Sequence, residues 1–385
     1  MVSLHLQCPP TVDSLCLSSI NEMRYMLDEK TKEIIVPPQT LINTGRVQHP
    51  MINSLKSGLI HLNVSIEILQ HCNMLDLMCV AQTNSVNRST VKEYIQDRLN
   101  VVGNRFFGDA NMLLEVLRTC DAVISSEAVL HFLLPEHGTT WSPSRLDIFI
   151  PASYRHRVYT LLGMNGYKMA SDRPTPPGSR QHSQIARVTE FLRGDEMIAV
   201  TVSTTAAAFA PIFELENTAL MNLISYDRLY CAYPTLTFSN LAMINPGQLY
   251  TQRFSVDNMK TLLKYRTRQF EYVSCHNNQE IYTPCFTTTR SITDANGIWW
   301  DLEQAIEVKS SPADIFQRFG VLDVHWTLGG PVCKRPDALM LPDVRIIDDD
   351  SYVRNACRYI QMLTGSTSVL FITRTDSWEA NLPTC

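Results

Sequence analysis

Residues 121–151 read DAVISSEAVLHFLLPEHGTTWSPSRLDIFIP, and the fold turns on them. Ala122, Val123 and Ile124 predict a short strand that breaks at Ser125 and Ser126. Ala128, Val129, Phe132 and Leu133 then recur at helical spacing. A Gly/Pro/Ser loop leads to a second apolar run, Leu146 to Ile150, with one carboxylate, Asp147, set in it. A small-residue turn at a helix N-terminus can cradle phosphate, and carboxylates on alternate strand positions can hold a divalent metal. Ser125, Ser126, Glu127 and Asp147 are therefore the first candidates for a ligand site.

Strand, turn, helix, loop and carboxylate-bearing strand together resemble the nucleotidyltransferase-fold superfamily, the DNA polymerase beta-like fold. The likeness is to the diverged forms carried by many fungal proteins. Those read roughly Ser-Gly-Ser, an Ala-Leu helix, Trp-x-Pro, then Asp-Leu-Asp and an aliphatic run ending in Pro. Here the turn is Ser125-Ser126-Glu127, followed by Trp141-Ser142-Pro143 and Arg145-Leu146-Asp147-Ile148-Phe149. The position of the first metal-binding carboxylate holds Arg145. Residues 145 and 147 of a strand point to the same side, so a cation stands where a metal ligand is expected.

The resemblance also implies a third carboxylate on a later strand. Residues 185–192 and 197–203 predict two strands joined through Arg193-Gly194-Asp195-Glu196, a hairpin. Thr201, Val202 and Ser203 supply no acid there, although Glu190 lies on the partner strand. Two of three acidic positions are thus expected to be lost. Thr218 and Asn222, in a segment shared with the same group, are read either as facing the site or as capping and packing residues.

Upstream, Leu62, Ile66, Leu69, Cys72 and Leu75 repeat every three or four residues, followed by Asp76, Leu77 and Val80. Thr90-Val-Lys-Glu93 has the form of a capping box for a further helix. This succession resembles an F-box, with Asn63 and Ser65 standing where Pro and Glu are usual. The resemblance implies that Leu62, Ile66, Leu69, Leu75 and Leu77 dock onto the linker subunit of an SCF-type ubiquitin ligase, an amphipathic helix-in-groove contact. The other reading is a helical bundle packed on its own downstream domain.

The totals bound the rest. With 385 residues, 45% of them apolar and 18% charged, the chain is expected to fold around a substantial core. Thirty-three basic against 38 acidic residues, net −5, argue against a strong nucleic-acid footprint. No apolar run reaches the roughly 20 residues that span a bilayer, and the start lacks a basic region. The 11 cysteines are irregularly spaced, so reduced thiols are expected, in cytoplasm or nucleus. Cys275, Cys285 and Cys333, beside His276, would make a sufficient zinc set chemically, but no C-x2-C knuckle is present. Asp109 caps a helix over Ala110–Thr119, and Lys260, Lys264, Arg266 and Arg268 predict a solvated basic helix face.

The expected architecture is α/β with a mixed sheet: a partly ordered leader (1–55), an F-box-like helical segment (56–104), a degenerate nucleotidyltransferase-like domain (105–245) and a mixed C-terminal extension (246–385). The leading functional expectation is a non-catalytic adaptor that needs no cofactor, with Ser125, Ser126, Glu127, Arg145, Asp147 and Glu190 lining a partner or ligand site. The alternative is a metal-dependent nucleotidyltransferase. It would use Mg²⁺, a nucleoside triphosphate, and Asp147 with a carboxylate such as Glu127 or Glu190.

Overall fold

The computed structural model describes residues 62–175, 183–245, 256–273, 288–332, 335–340 and 342–347. The leader and the Cys275/Cys285/Cys333 set lie outside them.

Three helices open the described chain: α1 (Leu62–Gln70), α2 (Met74–Ala81) and α3 (Ser85–Phe107). A reciprocal capping box starts α2, with Asp76 N donating to Asn73 Oδ1 at 3.1 Å and Asn73 N to Asp76 Oδ2 at 3.2 Å. Asn84 caps α3, accepting from Asn87 N at 2.8 Å. Thr90 therefore sits inside α3 and starts no helix, because apolar periodicity continues on both sides of it. Helix α4 (Ala110–Thr119) begins at Asp109 as expected, and Asn111 N donates to the Asp109 side chain at 2.9 Å. It crosses α3 closely at Gly103, where an added Cβ would meet Ala110 Cα at 2.6 Å.

The chain then alternates: β1 (Val123–Ser125), α5 (Ser126–Leu133), β2 (Leu146–Pro151), α6 (Arg155–Met164), β3 (Lys168–Pro174), β4 (Ile185–Arg193) and β5 (Glu196–Ser203). The β4–β5 hairpin turns at Gly194, with φ at +58°. There follow β6 (Asn222–Ile224), β7 (Arg228–Cys231), α7 (Pro234–Thr237), β8 (Leu241–Ala242), α8 (Val256–Thr267) and β9 (Glu271–Tyr272). The last elements are β10 (Arg290–Ser291), β11 (Ile298–Asp301), β12 (Ile306–Val308), α9 (Pro312–Phe319), β13 (Asp323–Thr327), β14 (Gly330–Val332), β15 (Arg335–Met340) and β16 (Asp343–Ile347).

Nine strands form one mixed sheet in the order β12-β11-β7-β6-β1-β2-β5-β4-β3. Within this sheet, among the described residues, only β2 and β5 pair in parallel, joined by the crossover through α6 and the β3–β4 strands. The α/β expectation is met. Strands β11 and β12, from beyond residue 245, extend the same sheet.

Alternation along the central strands makes two cores. Ile124, Ile148, Ile150, Ile198 and Val200 face Leu69, Leu77, Leu99, Phe106 and Val116 of the helices. Val123, Phe149, Leu223 and Tyr230 face the opposite layer, built on Phe209, Phe213, Phe319 and Trp326. There Trp326 stacks on Phe213 with ring centroids 3.9 Å apart, and its indole N–H donates to Tyr233 at 2.8 Å. Buried Arg98 of α3 donates to the carbonyls of His131 (3.1 Å) and Leu134 (3.3 Å), closing the C-terminal end of α5. Among the described residues, no helix is long and apolar enough to cross a membrane.

Candidate functional site

Sheet register sets the floor of the site. Asp147 on β2 lies opposite Ala199 on β5, and Ala199 opposite Glu190 on β4. The three form a row on one face, opposite to that of Ile148 and Val200. Across two strand spacings, the Asp147 and Glu190 backbones are about 10 Å apart. The row thus presents alanine between two acids, and Thr201 lies two residues further along β5. Glu190 is engaged elsewhere: it accepts from Ser171 Oγ at 2.6 Å and pairs with Arg173.

Arg145 immediately precedes β2, and its side chain turns to the same side as Asp147. Its Nε lies 2.8 Å from Asp147 Oδ1. The carboxylate is sunk, with 6% of its side chain exposed, while the guanidinium keeps 43% exposure. Asp147 Oδ2 is buried and has no hydrogen-bond partner among the described residues. Burial pushes the Asp147 carboxyl up to about 6, against the pull of Arg145 and of the Ser126 hydroxyl.

An acid raised in this way binds its proton more tightly in the fold than in the unfolded chain. Stability therefore falls as pH rises from the ordinary value of 3.8 to about 6, and levels off above that. The fall attributable to Asp147 is on the order of 3 kcal/mol. Asp147→Asn should remove that part of the decline, read as the difference between wild-type and variant urea unfolding at pH 4.5 and pH 7.5. Parallel pH curves for the two proteins would contradict the assignment.

Glu127, the second residue of α5, is the anionic hub of the site. Lys264 donates to its Oε1, Arg268 to its Oε2 at 3.1 Å and Tyr265 to Oε1 at 3.4 Å. The backbone N–H and hydroxyl of Ser144 approach Oε2 at 3.4 and 3.5 Å. Burial alone would raise this carboxyl, but Lys264 and Arg268 more than reverse it and hold it below its usual range. Arg268 also lies over the Trp141 ring, 4.0 Å from its centroid. The basic helix is thus not wholly a solvated face. Lys260 and Arg266 are exposed, whereas Lys264 and Arg268 turn onto Glu127.

The two serines divide. Ser125 is fully buried, and its hydroxyl donates to the carbonyls of Leu220 and Asn222 on the neighbouring segment. It tethers β1 to β6 and is not free to hold a phosphate. Ser126 opens α5 with φ at +64°, the left-handed region that favours glycine. Ser125 makes no side-chain cap to this helix. Thr218 and Asn222 prove to be internal: Thr218 Oγ1 accepts from Met243 N at 2.9 Å, and Asn222 Nδ2 donates to Ala219 O at 2.7 Å.

The predicted docking residues separate in the same way. Leu62 opens α1, Ile66 is 38% exposed and Leu75 is half-buried, but Leu69 and Leu77 are buried in the chain's own core.

A magnesium ion does not suit this residue set. One oxygen of Asp147 is taken by a guanidinium, Glu127 and Glu190 are held by cations, and β5 places Ala199 and Thr201, not an acid, beside Asp147. Among the described residues, no three His, Cys, Asp or Glu side chains gather into a metal-holding group. Sequence reasoning missed Glu216, a half-buried carboxylate within Coulomb reach of Arg145 and Asp147. It also missed the inward turn of Lys264, in the last turn of α8, and of Arg268, just past its end. No family model, characterised protein or solved structure matches the chain.

Proposed function

We propose that the chain is a non-catalytic adaptor. A degenerate nucleotidyltransferase-like domain offers a binding site closed to catalytic metal, and the N-terminal helices recruit the linker of an SCF-type ubiquitin ligase. The Arg145–Asp147 ion pair carries this reading. A guanidinium 2.8 Å from the Asp147 carboxylate sets a permanent positive charge where a divalent ion would need an anionic ligand. The glycine-like backbone of Ser126 at the head of α5 supports the likeness to the superfamily's turn. So does the position of Asp147 on the strand next to it.

The adaptor half rests on the succession α1–α3. A docking surface there would use Ile66, Leu75 and Cys79, which retain exposure, rather than Leu69 and Leu77. One observation favours the other reading, a metal-dependent nucleotidyltransferase: Asp147 Oδ2 is unpartnered, and Glu216 lies in its field.

Calorimetry separates the two. Wild type and Asp147→Ala are titrated with ATP, with and without Mg²⁺. Mg²⁺ is expected to add no heat to either protein. Metal-dependent heat in wild type that vanishes in Asp147→Ala would overturn the non-catalytic reading. For the adaptor half, failure of the purified linker subunit to bind at micromolar concentration would remove it.

A further inference from the structure

Three cations converge between the start of β2 and the end of α8, and their carboxylates lie beneath them. Glu127 and Asp147 expose 9% and 6% of their side chains, whereas Lys264 and Arg145 expose 38% and 43%. Arg145 is held at Nε by Asp147 while its side chain keeps 43% exposure, and among the described residues its two Nη groups, with four N–H donors, make no hydrogen bond. Lys264 and the hydroxyl of exposed Ser144, the residue before Arg145, both meet Glu127, whose charge also acts on Arg145. Below them, Nη1 of mostly buried Arg268 has no hydrogen-bond partner. A guanidinium held by a buried carboxylate, with its fork open beside an ammonium, is preorganised for a tetrahedral oxyanion.

We propose that this rim binds the oxyanion of a small phosphate monoester directly, through the Arg145 fork and Lys264 Nζ, with no metal between. The proposal rests on reading the site as one without catalytic metal. Other charges bear on it. Arg173 pairs with Glu190, Arg268 shares Glu127 with Lys264, and Glu216, which makes no ion pair among the described residues, opposes an incoming anion. Glu216 limits affinity and offers a test that disturbs no ion pair.

The full-length chain is unfolded thermally in EDTA at low ionic strength, with inorganic phosphate titrated against chloride of matched ionic strength. Phosphate is expected to raise the midpoint with a saturating dependence, and chloride is not. Arg145→Lys, which keeps the charge and loses the fork, should weaken the response about tenfold. Lys264→Gln should weaken it as well, and Glu216→Gln should tighten it about fivefold, the scale of one screened charge contact. Phenyl phosphate should act as phosphate does, which shows that a monoester is accepted.

An equal response to phosphate and chloride overturns the proposal. So does a phosphate response unmoved by Arg145→Lys and Glu216→Gln, the second of which keeps the test valid if the first fails to fold. Either result leaves the non-catalytic reading standing. A response that appears only when Mg²⁺ replaces EDTA overturns both.

Discussion

Glu127→Ala is expected to destabilise the fold by about 3–5 kcal/mol, the cost of leaving buried cations without their anion. Lys264 can relax into water, since its side chain is partly exposed. Arg268 cannot, because it lies under Trp141 with its guanidinium carbon 4.0 Å from the ring centroid. Equilibrium urea unfolding at neutral pH reads the loss directly. A double-mutant cycle with Arg268→Ala should show a coupling of about 2–3 kcal/mol. The pH dependence has a definite sign. Glu127 is held below its ordinary value of 4.5 in the fold, so its contribution is present above that pH and disappears as pH falls through the folded-state value. The wild-type and variant curves should therefore converge in acid. A loss below about 1 kcal/mol at neutral pH would mean that solvent already screens the cluster.

Leu77→Ala carries the second large effect and bears on the adaptor reading. Leu77 is fully buried and packs in one cluster with Val91, Leu99, Ile124 and Ile148. Removing its branched end leaves a cavity and should cost about 2–5 kcal/mol in the isolated chain. Ile66→Ala, on the exposed side of α1, should change stability by less than about 1 kcal/mol. It is the variant expected to weaken binding of a ligase linker. The reverse pattern, with Leu77→Ala harmless to stability and damaging to binding, would make α2 an interface rather than part of the core.

These two variants mark the boundary between local and distant information. The Ala110–Thr119 helix, its Asp109 cap and the 185–203 hairpin were legible because capping, periodicity and turn chemistry act within a few residues. The same reasoning misplaced a helix start at Thr90, because the Ser/Thr-x-x-Glu pattern fits equally well in mid-helix. Nothing local distinguished it from the Asn84 cap. The aliphatic stripe at 62–77 was read as docking surface or as core, since helical periodicity says that a face is buried and not by what.

By itself the sequence determined that a carboxylate, Asp147, sits in a buried strand two residues after a cation. Side chains at that spacing on an extended chain share a side, and the Arg145–Asp147 pair forms so although Arg145 stands just before β2. Only the tertiary structure decided what became of Glu127. Its partners Lys264, Tyr265 and Arg268 lie 137, 138 and 141 residues away, and they meet it because α8 packs beside the first turn of α5. Tertiary structure likewise turned Ser125 inward and set alanine between Asp147 and Glu190. Charge placement across a sheet depends on strand order and register, which arise from the packing of the whole core and are written in no short stretch of the chain.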